Sequence, residues 1–178
     1  LWKVTWDYKV MLLNIGWWST ELVLIQGNKT IATHNCDIWV WTVIGKFDGI
    51  NNEFSKIQIE DIIWRVREKL PEIDYKFDFA IYTGGELEYM KRAWYKLTEN
   101  NLFDDEDHPL LISKVDFEIR NREVFENIKL VELEWLMPEN PSWMHGARGC
   151  SALAQAIFEH YKINQIIPSN SNLIDGVA

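Results

Sequence analysis

The sequence predicts a mixed α/β domain, in which a three-strand meander is joined by two parallel strands into a five-stranded sheet with helices on both faces. Three observations predict it. The first is an opening block of three β-prone runs separated by short turns. The second is a change to a 3.6-residue apolar period near residue 58. The third is a return to alternation at Phe77, Phe79 and Ile81 that leads directly into Thr83-Gly84-Gly85.

The meander begins with Val10-Met11-Leu12-Leu13-Asn14-Ile15, a near-continuous apolar run ending at Gly16, as expected of a strand buried on both faces. Leu22-Val23-Leu24-Ile25 follows and is closed by Gly27-Asn28, a hairpin signal, and a third run occupies residues 29–34. In residues 58–70 the apolar positions Ile59, Ile62, Ile63, Val66 and Leu70 define one face of an amphipathic helix stopped by Pro71. After the fourth strand a helix carries Leu87, Met90 and Trp94 on one side. Residues 98–109 are acidic and read as the one candidate linker. Residues 110–112 form a short buried strand, and Ser113 with Asp116 makes a capping box for a helix to about Ile128. Residues 131–136 are ambiguous. Pro138, Asn140 and Pro141 punctuate the chain, Ser142 can cap, and a helix carries Ala152, Leu153, Ala156, Ile157 and Tyr161. A strand at 163–167, the turn Pro168-Ser169-Asn170 and a helix start at Leu173 complete the reading.

Composition narrows the function. The 178 residues suit one domain, or half of a larger two-lobed enzyme. Hydrophobic residues at 47% and charged residues at 25% give the balance of a chain that folds around a core. No apolar run approaches the roughly 18 to 20 residues that cross a bilayer, and residues 1–10 lack the features of a signal peptide, so a soluble cytoplasmic protein with no membrane partner is expected. The 18 basic against 27 acidic residues, a net charge of −9, disfavour nucleic acid as a partner. Any phosphate site must therefore be built locally, from backbone amides and metal. Cys36 and Cys150 lie far apart and read as buried thiols. Ten tryptophans are far above ordinary usage, and several stand where a turn would want glycine.

Two segments can carry chemistry. In Asn14-Ile15-Gly16-Trp17-Trp18-Ser19-Thr20-Glu21, between two strands, Ser19 and Thr20 suit phosphate oxygens, and Glu21 or Asn14 can reach a metal or water. The alternative is an ordinary polar hairpin turn. In Thr83-Gly84-Gly85-Glu86 paired glycines let backbone approach a ligand, and the helix start offers amides to an anion. A plain strand-to-helix turn is equally compatible. His34, His108, His145 and His160 have no paired metal spacing, and Asp104 to Asp107 reads as a solvated loop. Arg148, between Gly146 and Gly149, either points at phosphate or packs against a neighbouring helix.

The order Leu12-Leu13-Asn14-Ile15-Gly16-x-x-Ser19-Thr20-Glu21-Leu22 resembles the Asp-Ile-Gly-Gly-Gly-Ser-Thr-Glu-Leu motif of the exopolyphosphatase/guanosine pentaphosphate phosphatase (Ppx/GppA) family. Thr83-Gly84-Gly85 is similar to that family's second glycine turn. Residues 166–176 resemble its closing Ser-Asp-x-x-Leu-x-Asp/Glu-Gly segment, and residues 144–157 the small-residue helix before it. The resemblance implies a ribonuclease-H-like, actin-like ATPase lobe, the C-terminal one of two that face each other across a cleft. It further implies Mg²⁺-dependent hydrolysis of the terminal phosphate of polyphosphate or guanosine pentaphosphate, with in-line attack by water. On these terms Gly16, Trp17, Trp18, Ser19, Thr20, Thr83, Gly84 and Gly85 are the phosphate-binding positions, and Asn14 and Glu21 are the catalytic and metal positions. The partners are the N-terminal lobe, which supplies the missing turn and base, and a possible second copy in a homodimer. Two departures stand out. Asn14 replaces the leading Asp and is the poorer Mg²⁺ ligand. Trp17 and Trp18 replace Gly-Gly, and Trp39 and Trp41 also look like replaced glycines of a Gly-x-Gly turn, with Trp94 and Trp135 as further candidates; the other reading is that these are genuine aromatics at an interface. A noncatalytic binding or assembly module with the same fold is the second expectation, and an actin-like kinase lobe a weaker third.

Overall fold

The computed structural model describes residues 8–27 and 29–171. Its sheet has seven strands, not five: β1 (Lys9–Ile15), β2 (Thr20–Gln26), β3 (Lys29–Cys36), β4 (Phe79–Thr83), β5 (Thr98–Glu99), β6 (Leu110–Ser113) and β7 (Gln165–Pro168), in the order β3-β2-β1-β4-β7-β6-β5. The meander β1-β2-β3 is antiparallel, and β4 and β7 run parallel to β1 as expected. The extra width comes from β6, antiparallel to β7, and from two-residue β5 at the edge. The β5 pair Thr98-Glu99 is exposed on both sides and has no apolar pattern to announce it.

Six helices connect the strands: α1 (Val40–Lys46), α2 (Ile59–Arg67), α3 (Glu86–Arg92), α4 (Lys114–Glu126), α5 (Leu130–Leu136) and α6 (Ala147–His160), with a 3₁₀ turn at Pro141–Gly146 leading into α6. The predicted cap at Ser113 is present, its side chain accepting from the Asp116 amide at 3.1 Å. The Gly-x-Gly turn expected at Trp39-Val40-Trp41 is instead the start of α1. There the Trp39 amide donates to Thr42 Oγ1 and the Thr42 hydroxyl donates back to the Trp39 carbonyl. The helix start expected at Leu173 lies outside the described residues.

Alternation along the strands divides the apolar residues between the two faces of the sheet. Met11, Leu13, Ile15, Leu22 and Leu24 enter the main core with residues of α1, α2, α4 and α6. Val10, Leu12, Phe79 and Ile81 enter a smaller cluster on the other face with Leu111 and Ile167. Among the described residues, that second face is covered by no helix. Its cover is the acidic segment, whose Leu102 and Phe103 pack on it and whose Leu102 carbonyl accepts from the Tyr8 hydroxyl. Residues 98–109 are therefore part of the fold and not a linker. His108 in the same segment is buried beside Asp105, 3.1 Å away.

Arg148 is a structural residue. It is 0% exposed and donates to five backbone carbonyls: Ile50 and Asn52 through Nη1, Glu53 and Ile128 through Nη2, and Val124 through Nε. This one side chain satisfies the irregular chain after α1 and the ends of α4 and its following loop, which have no ladder of their own.

Candidate functional site

The site lies where β1 and β4 end. Parallel pairing places Asn14 opposite Thr83, so the turn after β1 and the turn after β4 leave the same edge of the sheet side by side. Between them and the start of α6 is a cavity of about 230 Å³ bordered by Asn14, Gly16, Trp17, Gly84, Glu86, Tyr89, Trp143 and Cys150. Adjacent parallel strands sharing one edge are where open α/β sheets hold their ligands.

The β1–β2 turn is closed by one backbone bond, from the Gly16 amide to the Ser19 carbonyl at 2.7 Å. The carbonyls of Gly16 and Trp17 accept from the first two amides of α1, Val40 and Trp41, which fixes the turn against that helix. Among the described residues no partner takes the amides of Trp17, Trp18 and Ser19; Trp17 lines the cavity, and Trp18 and Ser19 form the exposed tip of the turn beside it. Such a cluster of amides suits an anion. Trp17 and Trp18 both have negative φ, so the turn holds tryptophan without backbone strain. The Trp17 ring lines the cavity and packs against Gly146, 3.0 Å from where a Cβ there would lie.

The second turn is shaped by Gly84 at φ +109 and Gly85 at φ +93, both left-handed and so suited to glycine. Its amides are largely engaged. Gly84 donates to the Ser171 carbonyl, Glu86 to the Ser169 carbonyl and Glu88 to Asn170 Oδ1. The closing segment singled out in the sequence therefore packs along the second turn as far as Ser171, the last residue described. Thr83 is buried, and its hydroxyl donates to the Leu13 carbonyl at 3.0 Å, tying β4 to β1.

Of the residues singled out by sequence, the cavity thus brings together Asn14, Gly16, Trp17 and Gly84. The others stand elsewhere. Trp18 and Ser19 are exposed at the turn tip. Thr20 is 1% exposed, faces the main core and has a hydroxyl with no partner. The β1–β2 register sets Glu21 directly opposite Asn14, on the same face of the sheet but outside the cavity wall. Gly85 supports the wall by packing under Trp143, whose ring would stand 3.3 Å from a Cβ there.

Sequence reasoning missed the polar floor. Glu86 is 8% exposed. Burial pushes its carboxyl up to about 8, against the opposing hydrogen bonds of Tyr82 and Cys150. The Tyr82 hydroxyl lies 2.9 Å from Cys150 Sγ, and that sulfur lies 3.9 Å from Glu86 Oε1. Burial likewise holds the Cys150 thiol well above its ordinary range, so it stays protonated and inert as a nucleophile. A Glu directly after Gly-Gly was visible in the sequence, but nothing there signals that α6 closes over it.

A resident metal fits the chain only in part. Among the described residues no group of three or more His, Cys, Asp or Glu could hold a metal ion. Asn14 and Glu21, facing each other across β1 and β2, supply one neutral and one anionic oxygen. That set suits Mg²⁺ that carries waters and phosphate oxygens as its other ligands, since Mg²⁺ is usually held by one or two carboxylates.

Neither a family model nor a curated protein matches this chain. Solved structures do. A Ppx/GppA phosphatase of Aquifex aeolicus superposes with a TM-score of 0.71 at 15% identity over 96% of this chain and 56% of its own. An exopolyphosphatase of Cytophaga hutchinsonii gives 0.74 at 14% identity, covering 98% and 57%. An exopolyphosphatase-like protein gives 0.71 at 16% identity, covering 95% and 58%. The chain thus has the fold of a portion of these enzymes and spans somewhat more than half their length. No described helix is long and apolar enough to cross a membrane.

Proposed function

We propose that the chain is a single domain, the C-terminal lobe of a Ppx/GppA-type phosphatase, and contributes half of a cleft that binds polyphosphate or guanosine pentaphosphate. The observation that carries this reading is the meeting of the two sequence-matched turns at one cavity, with the amides of Trp17, Trp18 and Ser19 in the first turn taken by no described partner. Solved structures of Ppx/GppA enzymes share the fold, which supports the same assignment.

In this reading the free amides receive the oxygens of a terminal phosphate and the charge that develops on them during in-line attack by water. Asn14 Oδ1 and Glu21 would hold Mg²⁺, which when bound to the phosphate oxygens neutralises part of their charge. The carboxylate that accepts the water proton comes from the other lobe, because no described carboxylate is placed to do so beside the free amides. Glu86, neutral at pH 7 from its raised pKa, can donate a hydrogen bond to a phosphate oxygen but cannot serve as a base there.

A second reading, a noncatalytic phosphate-binding or assembly module, is favoured by the Trp17 ring lining the cavity and by the amides of Gly84 and Glu86 being already engaged. One experiment separates the two. Phosphate release from polyphosphate is measured for the chain alone and after adding the N-terminal lobe as a separate polypeptide. The chain alone should release essentially none, and the pair should release phosphate in a Mg²⁺-dependent manner. Release by the chain alone removes the proposed division of labour, and no release by a pair that demonstrably associates favours the binding module.

A further inference from the structure

We infer that Trp17, Trp18 and Trp94 occupy glycine positions, and that the protein made in its own cell carries glycine at all three, which makes the β1–β2 turn a glycine turn open to an anion. Two unrelated observations converge on this. The first is backbone conformation. Helix α3 ends in a two-bond reverse turn, the Trp94 amide donating to the Lys91 carbonyl and the Tyr95 amide to the Met90 carbonyl. That pattern puts Trp94 at the position after the C-cap, where glycine is strongly preferred because the conformation is left-handed. Trp94 has φ +55 there and is 71% exposed. Its indole thus meets the steric cost of that conformation and gains almost no burial in return. Lys162 takes the same conformation after α6, so the fold accepts a side chain at such a place, but as a flexible lysine and not a bulky ring.

The second observation is the turn at the cavity. Trp18 at its tip is 70% exposed and, among the described aromatic rings, touches only Trp41, at 5.7 Å between centroids. Trp17 lines the cavity together with Asn14, Gly84 and Glu86, its ring packed against Gly146. Both indoles stand in the turn whose amides at 17, 18 and 19 no described residue takes. Composition agrees: nine glycines among 178 residues fall below the ordinary share of roughly 7%, while tryptophan reaches ten. A base change that turned glycine codons into tryptophan codons would have to recur independently at each place. A single triplet read as tryptophan under one genetic code and as glycine under another alters all of them together, and UGA is such a triplet. Trp143, packed on Gly85 in the cavity wall, fits its place as tryptophan.

The deciding measurement is the mass of the peptides containing residues 17, 18 and 94 in protein isolated from its own cell. Glycine masses at all three are expected, with tryptophan at 143; tryptophan masses at 17, 18 and 94 overturn the inference. Recombinant variants supply an independent physical reading. W94G should raise the thermal midpoint by about 3 °C, and a fall of that size would also overturn it. The part concerning the turn rests on the phosphate-binding reading above, so W17G/W18G is titrated with tripolyphosphate and Mg²⁺ and should bind about tenfold more tightly than the chain with both tryptophans. Glycine masses together with no binding by W17G/W18G would sustain the inference and reject the phosphate reading.

Discussion

Replacing Arg148 with Met should lower the unfolding free energy by about 4 kcal/mol, the range expected when one side of a buried charged hydrogen-bond network is removed. The reason is arithmetic of partners. Five carbonyls, of Ile50, Asn52, Glu53, Val124 and Ile128, accept from this guanidinium, and a thioether donates to none of them. Met keeps much of the volume, so the loss reports the hydrogen bonds more than a cavity. R148K should recover only part of the loss, because an ammonium is a point donor and cannot span carbonyls arranged around a planar fork. Urea unfolding followed by circular dichroism measures both. A loss below about 1 kcal/mol for R148M would mean that water or a shifted backbone satisfies these carbonyls, and the structural role assigned to Arg148 would be wrong.

The second large effect is a pH dependence set by Glu86. Its folded pKa is raised from 4.5 to about 8, chiefly by burial. Between those values the folded state keeps a proton that the unfolded chain has released, so stability falls as pH rises through this window and levels off above about 8. The cost at the upper end is on the order of 3–5 kcal/mol. E86Q keeps the shape and the neutral hydrogen-bonding character and has no proton to lose. It should resemble the parent near pH 4.5 and exceed it increasingly toward pH 8. Unfolding of both proteins across this range isolates the Glu86 contribution from every other titrating group. Parallel pH profiles for the two would show that the carboxyl ionises freely in the fold.

How much of this was legible beforehand depends on what each segment buries. Strands β1, β2 and β4 and helix α2 are legible because their apolar residues form either a continuous run buried on both faces of the sheet or a single period facing one core. Helix α1 is not, since Trp39-Val40-Trp41-Thr42-Val43-Ile44 is β-branched and aromatic, and its helical state is imposed from outside. Its first amides are taken by the Gly16 and Trp17 carbonyls, and Val40 and Val43 are buried in the main core. Edge strand β5 carries no pattern at all, and the acidic segment reads as solvated because its anchoring residues, Leu102, Phe103 and His108, are interspersed among charges.

The site divides in the same way. Asn14, Gly16 and Gly84, which line the cavity, are marked in the sequence because strand ends and glycine turns are local signals. Thr20 belongs to the same local string, yet the two-residue period of β2 turns it toward the core on the side of Leu22. Glu86, Tyr82 and Cys150 come from three elements, and only the closure of α6 over β4 makes them one polar floor. No local spacing encodes that meeting.

The central claim is that the turns after β1 and β4 form one anion pocket, and amide-resolved NMR of the chain titrated with tripolyphosphate and Mg²⁺ tests it most directly. Saturable shifts at Trp17, Trp18 and Ser19, with smaller ones at Gly84 and Gly85, are the predicted result. Shifts confined to surface lysines, or none at either turn at saturating ligand, would contradict the account.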